Sequence, residues 1–269
     1  MEAVVVSVVS MSTASSPEGA ARRGGSDPIP PHELLTRYYA SEQERRNQIN
    51  RWFDASASRY DAIQQAMSFG TGHWYRKEAL LRAGVAEGMR LLDVASGTGV
   101  LAAHGQEIVG PRGLTVGVDR SAGMLREAHR RGVQCIVQAV AEDLPFASGT
   151  FDRLTMGFAL RHVADLSATF REYRRLLKPG GKVLILEITP PRSRLAFHML
   201  KIYLRRVVPL VTRLAGCGPG VQELMEYHWD TIENCVPPTV ILAALEDAGF
   251  STVERNVALG IFSEYIAVR

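Results

Sequence analysis

The chain has 269 residues, 46% hydrophobic and 22% charged, and this balance excludes a disordered or fibrous protein. Its 31 basic and 28 acidic residues leave a net charge of +3, too even for nucleic-acid binding driven by phosphate neutralisation. No run of about 20 apolar residues could span a bilayer. Cys135, Cys217 and Cys235 lack the spacing of a disulfide framework or a zinc site. We therefore expect a cytoplasmic protein with reduced cysteines and no bound metal.

The first 31 residues are predicted to be a disordered tail. Residues 12–31 are rich in Ser, Ala, Gly, Pro and Arg, a composition that buries too little apolar surface to offset the loss of backbone entropy. The apolar start from Ala3 to Val9 is too short for a signal peptide and has no basic leader.

Residues 32–87 are predicted to form a helical extension that serves as a cofactor lid. Pro30 and Pro31 mark the start of a helix from His32 to Arg51, and a second helix runs through Trp74 to Arg82. The first helix could cross to a neighbouring subunit, so a homo-oligomer is one open alternative.

After Gly88 the sequence alternates between strand and helix patterns, which predicts one domain over residues 88–269. The predicted strands are Leu91–Val94, Leu114–Val118, Cys135–Gln138, Arg153–Gly157, Lys182–Ile188, Thr252–Ala258 and Glu264–Val268. The predicted helices between them are Leu101–Val109, Ala122–Arg130, Leu166–Leu177 and Thr239–Ala248. This order is typical of an α/β, doubly wound, mostly parallel seven-stranded sheet. The alternation lapses at about residues 190–235, where we expect a helical substrate cap.

A cofactor site is predicted where the first strand runs into the glycine loop Asp93-Val94-Ala95-Ser96-Gly97-Thr98-Gly99. Glycines allow close approach of a ligand, and a helix N-terminus offers free N–H groups. Asp119 follows the second strand, where a carboxylate can accept hydrogen bonds from ribose hydroxyls. The loop alone also fits a nicotinamide dinucleotide. Asp93 would repel a pyrophosphate but suits the amino end of S-adenosylmethionine, and Glu142 could accept from an adenine amino group.

Several further motifs resemble class I S-adenosylmethionine-dependent methyltransferases, in particular the ubiquinone/menaquinone-biosynthesis C-methyltransferase family. These motifs are Phe53-Asp54 through Tyr60-Asp61, Met67-Ser68-Phe69-Gly70, Met124-Leu125, Ala141-Glu142 with Leu144-Pro145-Phe146, Phe158-Ala159-Leu160-Arg161-His162-Val163 and Leu177-Lys178-Pro179-Gly180-Gly181. The resemblance implies a Rossmann-like methyltransferase fold from about Trp52 to Phe250. It also implies cofactor contacts at Thr98, Asp119, Val140, Ala141 and Gly157.

Two of these positions depart from the family, which usually has Asn at Val140 and a hydroxyl residue at Gly157. Only backbone contacts could survive there. We also place Tyr60 over the methionine end of the cofactor. The full set of predicted cofactor residues is Tyr60, Asp93, Ala95, Gly97, Thr98, Gly99, Asp119, Arg120, Met124, Val140, Ala141, Glu142 and Gly157.

Arg161, His162 and Tyr203 are the candidate catalytic residues. Arg161 and His162 follow the fourth strand, at the edge of the sheet where ligands of open α/β folds bind. In the resembling family the arginine is a candidate for orienting the acceptor, and Asn usually stands where this chain has His162. A histidine can take a proton near neutral pH, although a structural role at a strand end is an equal alternative. Tyr203 could stabilise a carbocation through its ring, and simple packing is the competing interpretation.

The basic amphipathic stretch Arg192–Leu214 allows several interpretations: contact with a membrane surface, binding of a prenyl diphosphate, cover for an apolar pocket, or a solvated face. Together the cap and pocket favour a lipophilic, isoprenoid-bearing small molecule. Our first hypothesis is a C-methyltransferase of specialised metabolism that methylates an alkene and couples this to cyclisation. The alternatives are C-methylation of a quinone precursor, O- or N-methylation, a nicotinamide-dependent oxidoreductase and a non-catalytic cofactor-binding scaffold.

Overall fold

The computed structural model describes residues 28–68, 71–214 and 219–269. Most of the predicted tail, Phe69-Gly70 and Cys217 lie outside these ranges. The tail was predicted to end at residue 31, whereas residues just before that point are already bonded to the domain. The Ile29 N–H donates to Asp165 Oδ1 over 2.9 Å, and the Val236 N–H donates to the Pro31 carbonyl over 2.8 Å. Cys135 and Cys235 are free thiols.

Seven strands form one sheet: β1 Arg90–Val94, β2 Leu114–Asp119, β3 Cys135–Gln138, β4 Phe151–Gly157, β5 Leu177–Ile188, β6 Ser251–Ala258 and β7 Phe262–Val268. Their order across the sheet is β3-β2-β1-β4-β5-β7-β6. β7 runs antiparallel to both of its neighbours, and the other pairs are parallel. The predicted fold class is therefore confirmed. β1 and β4 are buried along most of their length because they lie in the middle of a sheet covered on both faces.

Helices cover both faces of this sheet. They are α1 Glu42–Ser68, α2 Gly72–Arg82, α3 Val100–Val109, α4 Ala122–Arg130, α5 Leu166–Leu176, α6 Arg194–Ile202, α7 Val208–Leu214, α8 Pro219–Glu233 and α9 Pro238–Asp247. On one face, Phe170 of α5 and Leu245 of α9 pack on strand residues such as Leu154. On the other face, Leu80 of α2 and Leu101 of α3 complete the core.

The predicted helix from His32 to Arg51 is wrong in its first part. Residues 32–41 are non-helical, and α1 starts at Glu42 and continues to Ser68. Ser41 Oγ accepts from the Glu44 N–H over 3.2 Å, and Glu44 Oε2 accepts from the Ala40 N–H over 2.7 Å. This resembles a capping box, so the local sequence favours a helix start here rather than after the prolines. Residues 32–41 instead pack on the cap of their own chain, and association with a neighbour stays a prediction.

The cap predicted at about residues 190–235 is helical. α6, a π-helical turn at Tyr203–Val207, α7 and α8 pack against α1 and the segment before it. Between them lies an aromatic cluster, here called the cap cluster, formed by Tyr39, Trp52, Tyr227 and Trp229, each at most 5% exposed. No helix in the described ranges is long and apolar enough to cross a bilayer.

Candidate active site

A crevice of about 760 Å³, including its open mouth, lies at the carboxyl ends of β1, β2 and β4. Ligands of open α/β sheets bind at the point where the strand order reverses, which here lies between β1 and β4. Many of the residues predicted from the sequence line this crevice. They are Tyr60, Asp93, Ala95, Gly97, Thr98, Asp119, Arg120, Met124, Gly157 and His162. Residues from α1 and α2 close it from above, which is the place expected for a lid.

Asp93 lies at the floor of the crevice and is 1% exposed. Its Oδ1 accepts from the Thr155 hydroxyl over 2.7 Å, while Oδ2 is buried and has no hydrogen-bond partner among the described residues. Burial raises the pKa of Asp93 to about 6. A buried carboxylate oxygen without a partner is costly, so this atom would suit a cationic ligand group, and its contact with the donor stays a prediction.

Asp119 ends β2 and is fixed by two backbone hydrogen bonds. Its Oδ2 accepts from the Gly97 N–H and its Oδ1 from the Ser121 N–H, each over 2.8 Å. Burial raises the pKa of Asp119. The remaining acceptor capacity of its oxygens faces the crevice, so the geometry suits two ribose hydroxyls.

The two loop glycines have different roles. Gly97 has a φ of +58° and open space where a Cβ would stand, so a ligand can approach its backbone. At Gly99 a Cβ would lie 2.8 Å from the Ala128 Cβ and 2.9 Å from Val133 Cγ2. Gly99 does not line the crevice, and it allows the loop to pack on α4.

Two acidic residues of α1 hold this lid helix on the cofactor loop. Thr98 Oγ1 donates to Asp61 Oδ1 over 2.5 Å, and Arg131 forms an ion pair with the same carboxylate. Asp54 Oδ1 accepts from the Ser121 hydroxyl over 2.5 Å and from the Gly123 N–H over 2.9 Å, at the start of α4. Sequence reasoning used both acids only as markers of a resemblance and missed these contacts.

Arg76 of α2 is another residue that the sequence analysis missed. It lines the crevice, and its guanidinium stacks 4.8 Å from the Phe158 ring centroid. Its Nη2 donates to Gln64 Oε1 over 2.9 Å. Burial lowers its pKa, opposed by charges that include Asp93. The crevice therefore holds a buried cation close to a buried acid, a pairing that suits a ligand with both an ammonium and a carboxylate group.

His162 forms the opposite wall. Phe53 stacks edge-on at a ring-centroid distance of 5.4 Å, and the Tyr227 ring lies 5.6 Å away and nearly parallel. Nδ1 faces the Tyr227 hydroxyl at 3.4 Å, and Nε2 is buried without a partner among the described residues. Burial, assisted by the charge of Arg161, lowers the pKa of His162 well below its usual range. The imidazole is therefore neutral at physiological pH.

The other two predicted catalytic residues lie outside the crevice lining. Arg161 is 1% exposed and forms a buried ion pair with Glu187 at the end of β5. The Arg161 carbonyl also accepts from Arg45 NH2 over 3.3 Å. Such a pair orders the loop that carries His162. The guanidinium of Arg161 is then bound to Glu187 and not directed at the crevice. Tyr203 is half-buried and packs against the cap cluster.

Val140, Ala141 and Glu142 follow β3 and also stand outside the crevice lining. Val140 is 42% exposed, and Ala141 packs on the main core. Glu142 Oε1 accepts from the Ala164 N–H over 2.6 Å, which joins the loops after β3 and β4. Their cofactor contacts stay predictions. Among the described residues no group of three or more His, Cys, Asp or Glu side chains could hold a metal ion.

This sheet order is that of S-adenosylmethionine-dependent methyltransferases. A Thermotoga maritima protein described as a possible histamine N-methyltransferase aligns with a TM-score of 0.57 at 18% identity, covering 81% of this chain and 98% of that one. A methyltransferase from Aquifex aeolicus gives 0.53 at 20% identity, with coverages of 72% and 88%. At these identities the similarity shows the fold alone.

The chain belongs to the ubiE/COQ5 methyltransferase family, whose model matches residues 40–269. It is 34% identical over 221 residues to the ubiquinone/menaquinone biosynthesis C-methyltransferase UbiE of Shewanella frigidimarina, covering 78% of this chain and 85% of the relative. The demethylmenaquinone methyltransferase of Mycobacterium marinum is also 34% identical, with coverages of 78% and 88%. The protein is therefore an S-adenosylmethionine-dependent methyltransferase, and the oxidoreductase alternative is wrong.

Proposed function

We propose that this enzyme transfers a methyl group to a ring carbon of a quinone-type aromatic precursor that carries an apolar chain. The observation that supports this best is the family match over residues 40–269, and the neutral, unpaired Nε2 of His162 on the crevice wall offers a base. Methylation of carbon differs from that of a basic nitrogen because a C–H proton must leave afterwards, and a base at the site assists that step. The names of both curated relatives favour this proposal over our first hypothesis of alkene methylation in specialised metabolism.

Asp93, Asp119 and Arg76 would hold the methyl donor, whose sulfonium supplies an electrophilic methyl group. The Asp119 oxygens would accept from the ribose, Asp93 Oδ2 would accept from the α-ammonium group, and Arg76 would pair with the carboxylate. Gly97 leaves room for the donor beside its backbone. The rate enhancement comes from the fixed orientation of donor and acceptor in a site that excludes water. No covalent intermediate on the protein is needed.

His162 can act as the base only in one tautomer. Burial raises the pKa of Tyr227, so this phenol keeps its proton. If Nδ1–H donates to the Tyr227 oxygen, Nε2 carries a lone pair and can take the ring proton as the C–H electrons restore the aromatic ring. The opposite tautomer puts a hydrogen on Nε2, and a bound water would then have to accept the proton.

Methylation of a terpenoid alkene is a second candidate function. The rings of Phe53, Tyr60 and His162 meet at the crevice, and aromatic faces stabilise a carbocation. The substitutions at Val140, Gly157 and His162 also depart from the resembling family.

Incubation of the enzyme with extract of its own cells and deuteromethyl S-adenosylmethionine tests both candidates. We expect one compound to gain a single labelled methyl group, and NMR should place it on a ring carbon of an aromatic with an apolar chain. Label on a carbon that was part of an alkene would support the second candidate. Label on oxygen or nitrogen would contradict both.

A further inference from the structure

The outer surface of the cap carries a charge unlike that of the rest of the chain. Residues 188–222 contain no aspartate or glutamate, and their basic residues are Arg192, Arg194, Lys201, Arg205, Arg206 and Arg213. Since these six charges exceed the whole chain's net charge of +3, the remainder is net negative. The positive charge is therefore concentrated on one helical segment.

The same segment exposes large apolar side chains at helical spacing. Leu195 is 72% exposed, Met199 63% and Ile202 55%. The pattern then continues through Val207, Leu210 and Val211, which are 40% to 56% exposed. The step of five residues from Ile202 to Val207 spans the π-helical turn, whose i, i+5 hydrogen bonding accommodates the longer step. The apolar stripe of α6 thus stays on the same side as that of α7.

This stripe is distinct from the side of the segment that faces the core. Leu204 and Val208 are at most 5% exposed and pack, with Phe197 and Leu200, against the cap cluster. Lys201 forms an ion pair with Glu233 over 2.5 Å. The five arginines of the segment form no ion pair with any described residue. An apolar stripe bordered by arginines outside any described ion pair is therefore left exposed, and of these arginines Arg205 has a longer-range charge interaction with Glu233.

We propose that the outer face of α6, the π turn and α7 docks on an anionic lipid bilayer. Apolar side chains of such a surface helix enter the boundary between headgroups and acyl chains, and its arginines contact lipid phosphates. A second copy of this chain is disfavoured because an isologous contact would bring the acid-free basic faces together. Residues 1–27, with three acids and two arginines, offer little complementary charge.

Docking through this face would bring the cap to the membrane. The cap follows the carboxyl end of β5, at the same edge of the sheet as the crevice. A lipophilic acceptor could then reach the site from the bilayer. That consequence rests on the proposed function, whereas docking does not, and a binding assay without substrate separates the two.

Vesicle flotation of the full chain tests the proposal. We expect binding to vesicles of phosphatidylcholine with phosphatidylglycerol, weaker binding to phosphatidylcholine alone, and loss of binding as salt is raised. The triple variant L195S/M199S/I202S should bind at least about tenfold more weakly. R205Q/R206Q, which changes only exposed arginines, should lose about tenfold on anionic vesicles and little on neutral ones.

Leu81→Ser is the matched control, because Leu81 is 47% exposed on α2, outside the cap. It should leave flotation unchanged. Two results would overturn the proposal: absence of binding to anionic vesicles, or binding that neither L195S/M199S/I202S nor R205Q/R206Q weakens. A dimer that L195S/M199S/I202S dissociates would assign the face to a second copy instead and would also overturn it.

Discussion

At the scale of single residues, the behaviour of the crevice depends on how burial shifts the protonation of its groups. Water exclusion raises the pKa of Asp93 and lowers that of His162. Both shifts disfavour charge. The two groups work in different charge states. Asp93 must be ionised to bind an ammonium group, whereas His162 must be neutral to accept a proton.

Asp93 should make cofactor binding depend on pH near 6. The deprotonated form binds the α-ammonium group, and burial raises the pKa of Asp93 to about 6, so affinity should be full above that value. It should fall by about tenfold per unit as the pH decreases below 6, one proton being taken up on release. Titration of S-adenosylmethionine against the enzyme between pH 5 and 8 measures this. Asp93→Asn should bind more weakly and with a flat profile, and a wild-type profile flat down to pH 5 would contradict the assignment.

His162 should contribute to turnover and not to donor binding. We expect His162→Ala to lower kcat by about 10²-fold or more, since alanine cannot take a proton, with the Kd of S-adenosylmethionine unchanged. His162→Asn restores the residue usual in the family, so its turnover shows whether the imidazole itself takes the proton. Because the pKa of His162 is lowered well below its usual range, protonation of this residue should not reduce the rate near pH 6.5. Full turnover by His162→Asn would remove it from the role of base.

At the scale of elements, α1 is the helix that we propose as the lid, and side chains hold it at two points. Asp54 contacts the start of α4, and Asp61 contacts the glycine loop. Since α1 also packs on α8, it joins the cofactor site to the cap. The two halves of the site are thus connected through one helix.

Asp61→Ala should loosen the lid without unfolding the domain. The change removes the hydrogen bond from Thr98 and the ion pair with Arg131, which are partly exposed and worth about 1 kcal/mol together. Hydrogen exchange should be faster in the second half of α1, the Tm should change little, and the donor should bind more weakly. Asn47→Ala, exposed on the same helix, is the control. Unchanged exchange in the Asp61 variant would show that packing alone holds the lid.

At the scale of the whole molecule, the sheet could be predicted because its strands are short apolar runs between turn residues. The strands Leu91–Val94 and Leu114–Val118 could be predicted without knowledge of tertiary contacts. Asp93 and Asp119 were predicted for the same reason, since a polar residue at a strand's carboxyl end must lie at the ligand edge. The comparisons with known proteins confirm the fold and the donor.

The parts that sequence did not predict depend on contacts distant along the chain. Residues 32–41 have a helix-compatible pattern, yet their apolar side chains pack on the cap. The prediction of the helix start did not take account of the capping motif formed by Ser41 and Glu44. Arg76 is one of several basic residues in its helix, and only the fold places it in the same crevice as Asp93. Arg161 was a candidate for orienting the acceptor, but the fold pairs it with Glu187 on β5, a contact that the local sequence does not show.

The central claim is that this crevice holds a cationic methyl donor, and isothermal titration tests it most directly. We predict that the enzyme binds S-adenosylmethionine and its demethylated product but not NAD, and that Asp119→Ala weakens S-adenosylmethionine binding by about tenfold or more through loss of the ribose contacts. Binding of NAD without binding of S-adenosylmethionine, or an Asp119→Ala variant with undiminished affinity, would contradict the account.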